Sequence, residues 1–265
     1  MKDTVDTIKG TASLLPEIYK DLAQPSVQKV GKALGCVFDL ITLPTEYLTR
    51  WSDFKKENIN RHFEKYRQKM EEIPEEKVCE VHPQVGVPIM ERLEYTTCDE
   101  ISDLYINLLT KASSYDTANL AHPSFVQFIE RMSVDEARII KYLESHNRIP
   151  CIEVQAHKSN GKGYNTIISN ETMIDVYVEL VYKQNVHSYL DNFCSMGLLM
   201  HPSGTYIVGD GIYEPILDKL GYERLKHDLE NREEYKKVDF DKTFFQVTDM
   251  GKEFIKACLS KDFGQ

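Results

Sequence analysis

Apolar residues in the first half of the chain recur mostly at the helical spacing of three and four. After Pro25, the positions Val30, Ala33, Leu34, Val37, Phe38 and Ile41 form one stripe, and Pro44 interrupts it. From Tyr47 to Glu72 the chain is highly charged. Trp51, Phe54, Ile59, Phe63, Tyr66 and Met70 give this stretch a sparser apolar face, which predicts a long helix closed by Ile73-Pro74. Residues 75–90 carry Pro83 and Pro88 with little periodicity and read as a linker or extended segment. Thr97 with Glu100 has the form of a capping box, followed by Ile101, Leu104, Tyr105, Leu108 and Leu109 on one face. A loop at residues 113–116 leads to His122-Pro123-Ser124 and a helix with Phe125, Phe128, Ile129 and Met132 inward. Ser133 with Glu136 repeats the capping pattern before a helix running to Leu143.

The pattern then changes. Residues 149–155 alternate as a strand, and Ser159-Asn160-Gly161-Lys162-Gly163 is a turn. Helices are predicted over Thr172–Tyr182 and Val186–Met196, the second ended by Gly197. Tyr206-Ile207-Val208 is expected to pair with Phe244-Phe245-Gln246-Val247, and Thr248 to cap a final helix over 249–259. That order predicts a winged-helix-like α+β domain, its wing lengthened by an acidic helical insertion at about Tyr213–Lys237. The expected fold is therefore mainly α. It divides into an N-terminal helical region (1–73), a linker with a central helical block (74–132) and the winged-helix-like domain (133–265).

Charge limits what such a domain does. The chain has 32 basic and 42 acidic residues, a formal net charge of −10. The two halves share the imbalance, so neither is a basic module. A helix in the DNA major groove needs Arg or Lys for phosphates and guanine edges. Between Gln184 and Asp218 there is neither, while Asp191, Asp210, Glu214 and Asp218 are present. Nucleic acid is disfavoured as a partner, and a DNA-binding transcriptional regulator is the alternative reading. Six cysteines stand far apart without a CxxC pair and read as reduced thiols of a cytoplasmic protein. No stretch offers the ~20 apolar residues of a membrane span. Membrane contact through the 30–41 stripe, where Gly31 and Gly35 would permit close helix approach, is not favoured.

Known catalytic patterns are missing. Gly-Lys occurs at Gly31, Gly161 and Gly251 without the earlier glycine of a phosphate-binding loop, and neither GxSxG nor HExxH is present. His62-Phe63-Glu64 matches half of a zinc deaminase signature but lacks its PCxxC, so it reads as a solvated charged helix face. Cys79 and His82 have metal-pair spacing, which distant Cys98 and His122 would have to complete. The three His-Pro pairs, at His82, His122 and His201, read as turns or helix starts, because proline holds the preceding residue extended. His122 is the best placed of them for a local role. No catalytic residue, cofactor or metal ligand is assigned.

One resemblance runs through most of the chain. Tyr19-Lys20-Asp21-Leu22-Ala23-Gln24-Pro25 followed by Val30-Gly31-Lys32-Ala33-Leu34-Gly35 is similar to the start of the Abi-alpha (abortive infection alpha) family. Ile73-Pro74-Glu75-Glu76, Val87-Pro88-Ile89-Met90-Glu91, Tyr95-Thr96 and Leu104-Tyr105-Ile106-Asn107-Leu108-Leu109 continue the likeness. So do His122-Pro123-Ser124-Phe125-Val126, Met132-Ser133-Val134-Asp135-Glu136-Ala137 and Val247-Thr248-Asp249-Met250-Gly251-Lys252-Glu253-Phe254. The resemblance implies a part in limiting phage spread at the infected cell's expense, and it brings no catalytic residue. The combined expectation is a non-enzymatic antiphage protein acting through a protein partner or homo-oligomer. Its candidate contact residues are Val30, Ala33, Leu34, Val37, Phe38 and Ile41.

Overall fold

Helical stripes and one amphipathic sheet account for the architecture seen in the computed structural model, which describes residues 25–40 and 53–260. The first helices are α1 (Pro25–Leu40), α2 (Asp53–Glu71), α3 (Pro83–Leu93), α4 (Asp99–Ala112), α5 (Pro123–Glu130) and α6 (Val134–Leu143). Then come strands β1 (Arg148–Lys158) and β2 (Tyr164–Thr172), helices α7 (Ile174–Tyr177) and α8 (Val186–Ser195), and the short strand β3 (Leu199–Met200). Helices α9 (Glu214–Leu220) and α10 (Tyr222–Glu230), strand β4 (Tyr235–Val247) and helix α11 (Asp249–Cys258) complete the order. The chain forms two compact units, divided at residues 134/135 and 252/253: a helical unit and a sheet unit.

In the helical unit, α1 packs on α2 and α3, and α4 on α2, α3 and α5. Ile59, Phe63, Tyr66 and Met70 of α2 are buried there, so the sparse apolar face of the charged helix is used inside the chain. Helix ends are closed by side chains of neighbouring helices. Lys29 Nζ donates to the carbonyls of Met70 (3.2 Å), Glu71 (3.3 Å) and Ile73 at the end of α2. A cation there satisfies orphan carbonyls and complements the helix dipole. Asn58 Nδ2 does the same for α3, donating to Leu93, Glu94 and Thr96 carbonyls at 3.0, 3.2 and 2.9 Å.

Of residues 75–90, expected as linker or extended segment, those from Pro83 onward are helical and belong to α3. Pro83 sits in the first turn, where a missing N–H costs nothing, and His82 caps the helix by accepting from Gln84 N. The close-approach glycine is also not where the stripe suggests. A Cβ on Gly31 or Gly35 would meet nothing within 4 Å, whereas one on Gly86 would overlap Val37 Cγ2 and lie 3.1 Å from Val81 Cγ1. Gly31→Ala is therefore expected to stabilise by up to about 1 kcal/mol through helix propensity. Gly86→Ala is expected to lower stability despite the same gain, because overpacking costs about 1–3 kcal/mol. Urea unfolding of both variants measures the contrast. The predicted start at Thr97 is one residue early: α4 begins after Cys98, whose side chain makes no cap hydrogen bond.

The sheet is antiparallel throughout, in the order β2-β1-β4-β3. Strand alternation gives it two chemically different faces. Ile152, Val154, Ala156 and Val238 pack against Tyr213, Ile216, Tyr222 and Leu229 from the α9–α10 insertion. On the other face Glu153 stands opposite Asp241. Gln155 Nε2 lies between them, donating to both carboxylates at 2.9 and 2.7 Å.

Two expectations for this unit are corrected, and a strand with no counterpart among them is added. Residues 164–172 form a strand, the β-branched run Thr166-Ile167-Ile168 following a turn whose Gly161 and Gly163 have positive φ. The helix expected over Thr172–Tyr182 is only the short α7, and its C-cap Val178 is already extended at φ −114°, ψ 130°. The pairing positions Gln246 and Val247 of β4 are taken by Met200 and Leu199 rather than by residues 206–208. Ile207 instead donates its N–H to Tyr213 Oη at 2.9 Å and packs towards the insertion core.

Candidate functional site

Most residues singled out by sequence have structural tasks. Val30, Ala33, Leu34, Val37 and Phe38 are buried within the helical unit; Ile41 lies outside the described residues. His62, expected on a solvated face, is buried. His122 caps α5, its Nδ1 accepting from Ser124 N at 3.2 Å, as His82 caps α3. Cys79 Sγ contacts Ala112 O at 3.5 Å. Among the described residues, no three His, Cys, Asp or Glu side chains are grouped to hold a metal ion.

In the sheet unit a thiol and an imidazole do approach. Cys151 Sγ is 3.9 Å from His201 Nε2, which also lies 2.9 Å from Thr243 Oγ1, and the imidazole stacks on Phe245 at 4.6 Å. The thiol is wholly buried, and burial pushes its pKa up to about 12. A nucleophilic cysteine needs the opposite shift, so this pair is a packed contact.

A different segment of the sheet unit presents an unusual surface. From the end of α7 towards α8, Val178 and Leu180 turn inward, while Val176, Tyr177, Val181 and Tyr182 are each 56–59% exposed. One buried carboxylate and two partly exposed cations hold this arrangement. Asp135, 2% exposed, accepts from Val181 N (2.7 Å), Tyr182 N (2.8 Å) and Tyr189 Oη (3.0 Å). Burial alone would raise its pKa, but these three hydrogen bonds outweigh it and hold the carboxyl below its ordinary value. Arg138 donates to Glu179 O at 2.9 Å. On the other side of α7, Lys219 Nζ binds Asp175 Oδ1 (2.6 Å), Glu171 Oε1 (2.7 Å) and Thr172 O (2.8 Å).

Tyr177 extends the surface into a shallow cleft shared with Tyr142, Ile149, Pro150, Met173, Ile174, Ile212 and Ile216. Tyr142 stacks between Tyr177, at 6.2 Å and 15°, and His146, at 4.0 Å and 2°. Single exposed apolar residues are ordinary, but four large ones within seven positions form a patch of the kind that marks interaction sites. The sequence reading missed it because it assigned this stretch to a helix. The available signal was Val176, Val178 and Val181, β-branched residues that disfavour a long helix.

The family is settled by a family model for abortive infection alpha, which matches residues 55–258. The chain belongs to the abortive infection alpha family. The match runs from residue 55, just inside α2, to the end of α11, so it reaches into both units described above. Similarity to solved structures is slight. The structure of the uncharacterized protein from the hydrocarbon-degrading marine bacterium Alcanivorax borkumensis SK2 is 11% identical with a TM-score of 0.35. That match covers 51% of this chain and 92% of the other. No curated protein matches the chain. Among the described residues of this abortive infection alpha protein, no helix is long and apolar enough to cross a membrane.

Proposed function

We propose that this abortive infection alpha protein limits phage spread by binding a protein partner through residues 176–182, without chemistry of its own. The observation that carries the reading is a polar framework, built on the buried Asp135 and the partly exposed Arg138 and Lys219, that fixes a segment whose large apolar side chains face water. Asp135, Arg138 and Lys219 hold the backbone and flanks of that segment, and Val176, Tyr177, Val181 and Tyr182 stand outward. Aromatic side chains displayed on a fixed backbone suit protein contacts, since little conformational freedom is lost when they are covered. The surrounding unit is read as winged-helix-like. Helices α6 and α8 accompany strands β1, β4 and β3 in the order of a winged helix, with β2 and the α9–α10 insertion added. The absence of Lys and Arg between Gln184 and Asp218 supports a protein partner over DNA.

A phage challenge at low and high multiplicity tests this. Cells expressing the wild-type chain are expected to survive at low multiplicity and collapse at high. The double variant Tyr177→Ser/Tyr182→Ser is expected to keep its thermal midpoint and lose protection. Equal protection by the double variant would refute the role of this surface. Size-exclusion chromatography with light scattering on both proteins shows whether the partner is instead a second copy.

A further inference from the structure

His62 occupies a position that a structural histidine rarely tolerates. It is 1% exposed, and its Nε2 lies 2.8 Å from Thr96 O. A carbonyl only accepts, so Nε2 carries the proton and Nδ1 is the bare lone pair of a neutral ring. That Nδ1 is buried with no hydrogen-bond partner. The ring belongs to a three-residue clamp on α2 that holds the segment after α3. Asn58 takes the carbonyls of Leu93, Glu94 and Thr96, Arg61 takes Thr97 O at 3.1 Å, and His62 takes Thr96 O.

The charges around the ring are set against its protonation. From α2, Arg61 and Lys65 oppose a positive imidazole; from α4, Asp99 favours one. Asp99 is already engaged by Lys65 at 2.9 Å and by Arg61 at 3.8 Å, and Asp103, one turn further along α4, by Lys65 at 2.7 Å. Neither carboxylate is hydrogen-bonded to Nδ1. Protonation would therefore create a buried N–H⁺ with no acceptor, beside two cations. Relief requires the ring to reach water, and that motion breaks the Nε2 contact to Thr96.

We propose that His62 is a proton-operated latch, closed when neutral, whose protonation releases residues 94–97 and the end of α3 from α2. The direction agrees with burial, which pushes the imidazole pKa below its ordinary 6.5. A histidine depressed in the folded state contributes stability that is complete above 6.5 and is lost as pH falls towards the folded value.

Amide hydrogen exchange of the full chain at about pH 7.5 and about pH 5.5, corrected for intrinsic rates, tests the latch. In the wild type, opening of residues 93–98 is expected to increase about tenfold at the lower pH, one pKa unit being a factor of ten. In His62→Gln, whose neutral amide still donates to Thr96 O, opening at residues 93–98 should be the same at both pH values. Equal pH response in the two proteins would overturn the proposal. Long-range nitrogen–proton NMR of the wild type gives a test independent of the variant's folding. A proton found on Nδ1 near pH 7.5, or a ring that titrates at or above 6.5, would overturn it as well.

Discussion

Asp135→Ala is expected to destabilise the sheet unit by about 3–5 kcal/mol. The carboxylate is buried and receives three hydrogen bonds, two from the backbone of Val181 and Tyr182 and one from Tyr189. Alanine leaves all three donors without their acceptor, and each lost bond to a charged group costs about 1.5–3 kcal/mol before relaxation. Water reaches the partly exposed backbone donors and recovers some of that, which is why the sum is not taken in full. Asp135→Asn keeps the shape but turns an amide NH₂ towards a donor, so a loss of about half is expected. Because hydrogen bonding holds the native pKa below the ordinary 3.8, Asp135 contributes stability that is present above that value and disappears as pH falls through the native one. Urea unfolding of the wild type should weaken in this acid range more steeply than that of Asp135→Asn. A fall below about 1 kcal/mol for the alanine variant would show that the carboxylate does not organise residues 181–182. A functional consequence follows, since the backbone released is the one that displays Val181 and Tyr182.

Asp135 also shows what sequence could and could not disclose. Ser133 with Glu136 reads as a capping box at the start of a helix, with nothing to single out Asp135, and α6 does start at Val134. That reading is local, and it assigns Glu136 to the helix end. The actual partners of Asp135 lie 46, 47 and 54 positions away, and no local rule names them. The same boundary runs through the rest of the chain. Ile101, Leu104, Tyr105, Leu108 and Leu109 are buried as their spacing implied, because a stripe on a helix must be covered by something. What covers it is decided at long range. The stripe of α1 is covered by the chain's own helices, and the exposed patch falls on a stretch that periodicity read as helical. Residues 83–93 were legible with different weighting. Val85, Ile89, Met90 and Leu93 keep helical spacing and are buried, but Pro83 and Pro88 obscured them. His62 was the deepest miss, since charged neighbours at Arg61, Glu64 and Lys65 made a buried position look solvated.

Gly251→Ala is expected to cost about 2–4 kcal/mol, although α11 would gain up to about 1 kcal/mol in helix propensity. A Cβ at this position would overlap the carbonyl oxygen of Leu198 and lie 2.8 Å from Val247 Cγ1 and 3.2 Å from the Leu198 carbonyl carbon. Side chains can turn aside; a backbone carbonyl with assigned partners cannot. Leu198 O accepts from Thr248 N at 3.0 Å, Thr248 Oγ1 donates to the neighbouring Gly197 O at 2.5 Å, and Thr248 Oγ1 in turn accepts from Gly251 N at 2.9 Å to cap α11. Moving Leu198 therefore disturbs the cap, the carbonyl contacts and the two-residue strand β3 that follows it. The Gly251-Lys252 pair, which on paper looks like part of a phosphate loop, is thus a packing device: the glycine admits a backbone where any side chain would collide. Lys252→Ala, one residue on and exposed, should change stability by less than about 0.5 kcal/mol. Paired urea titrations decide the matter, and a neutral or stabilising Gly251→Ala would mean that α11 and Leu198 do not approach this closely.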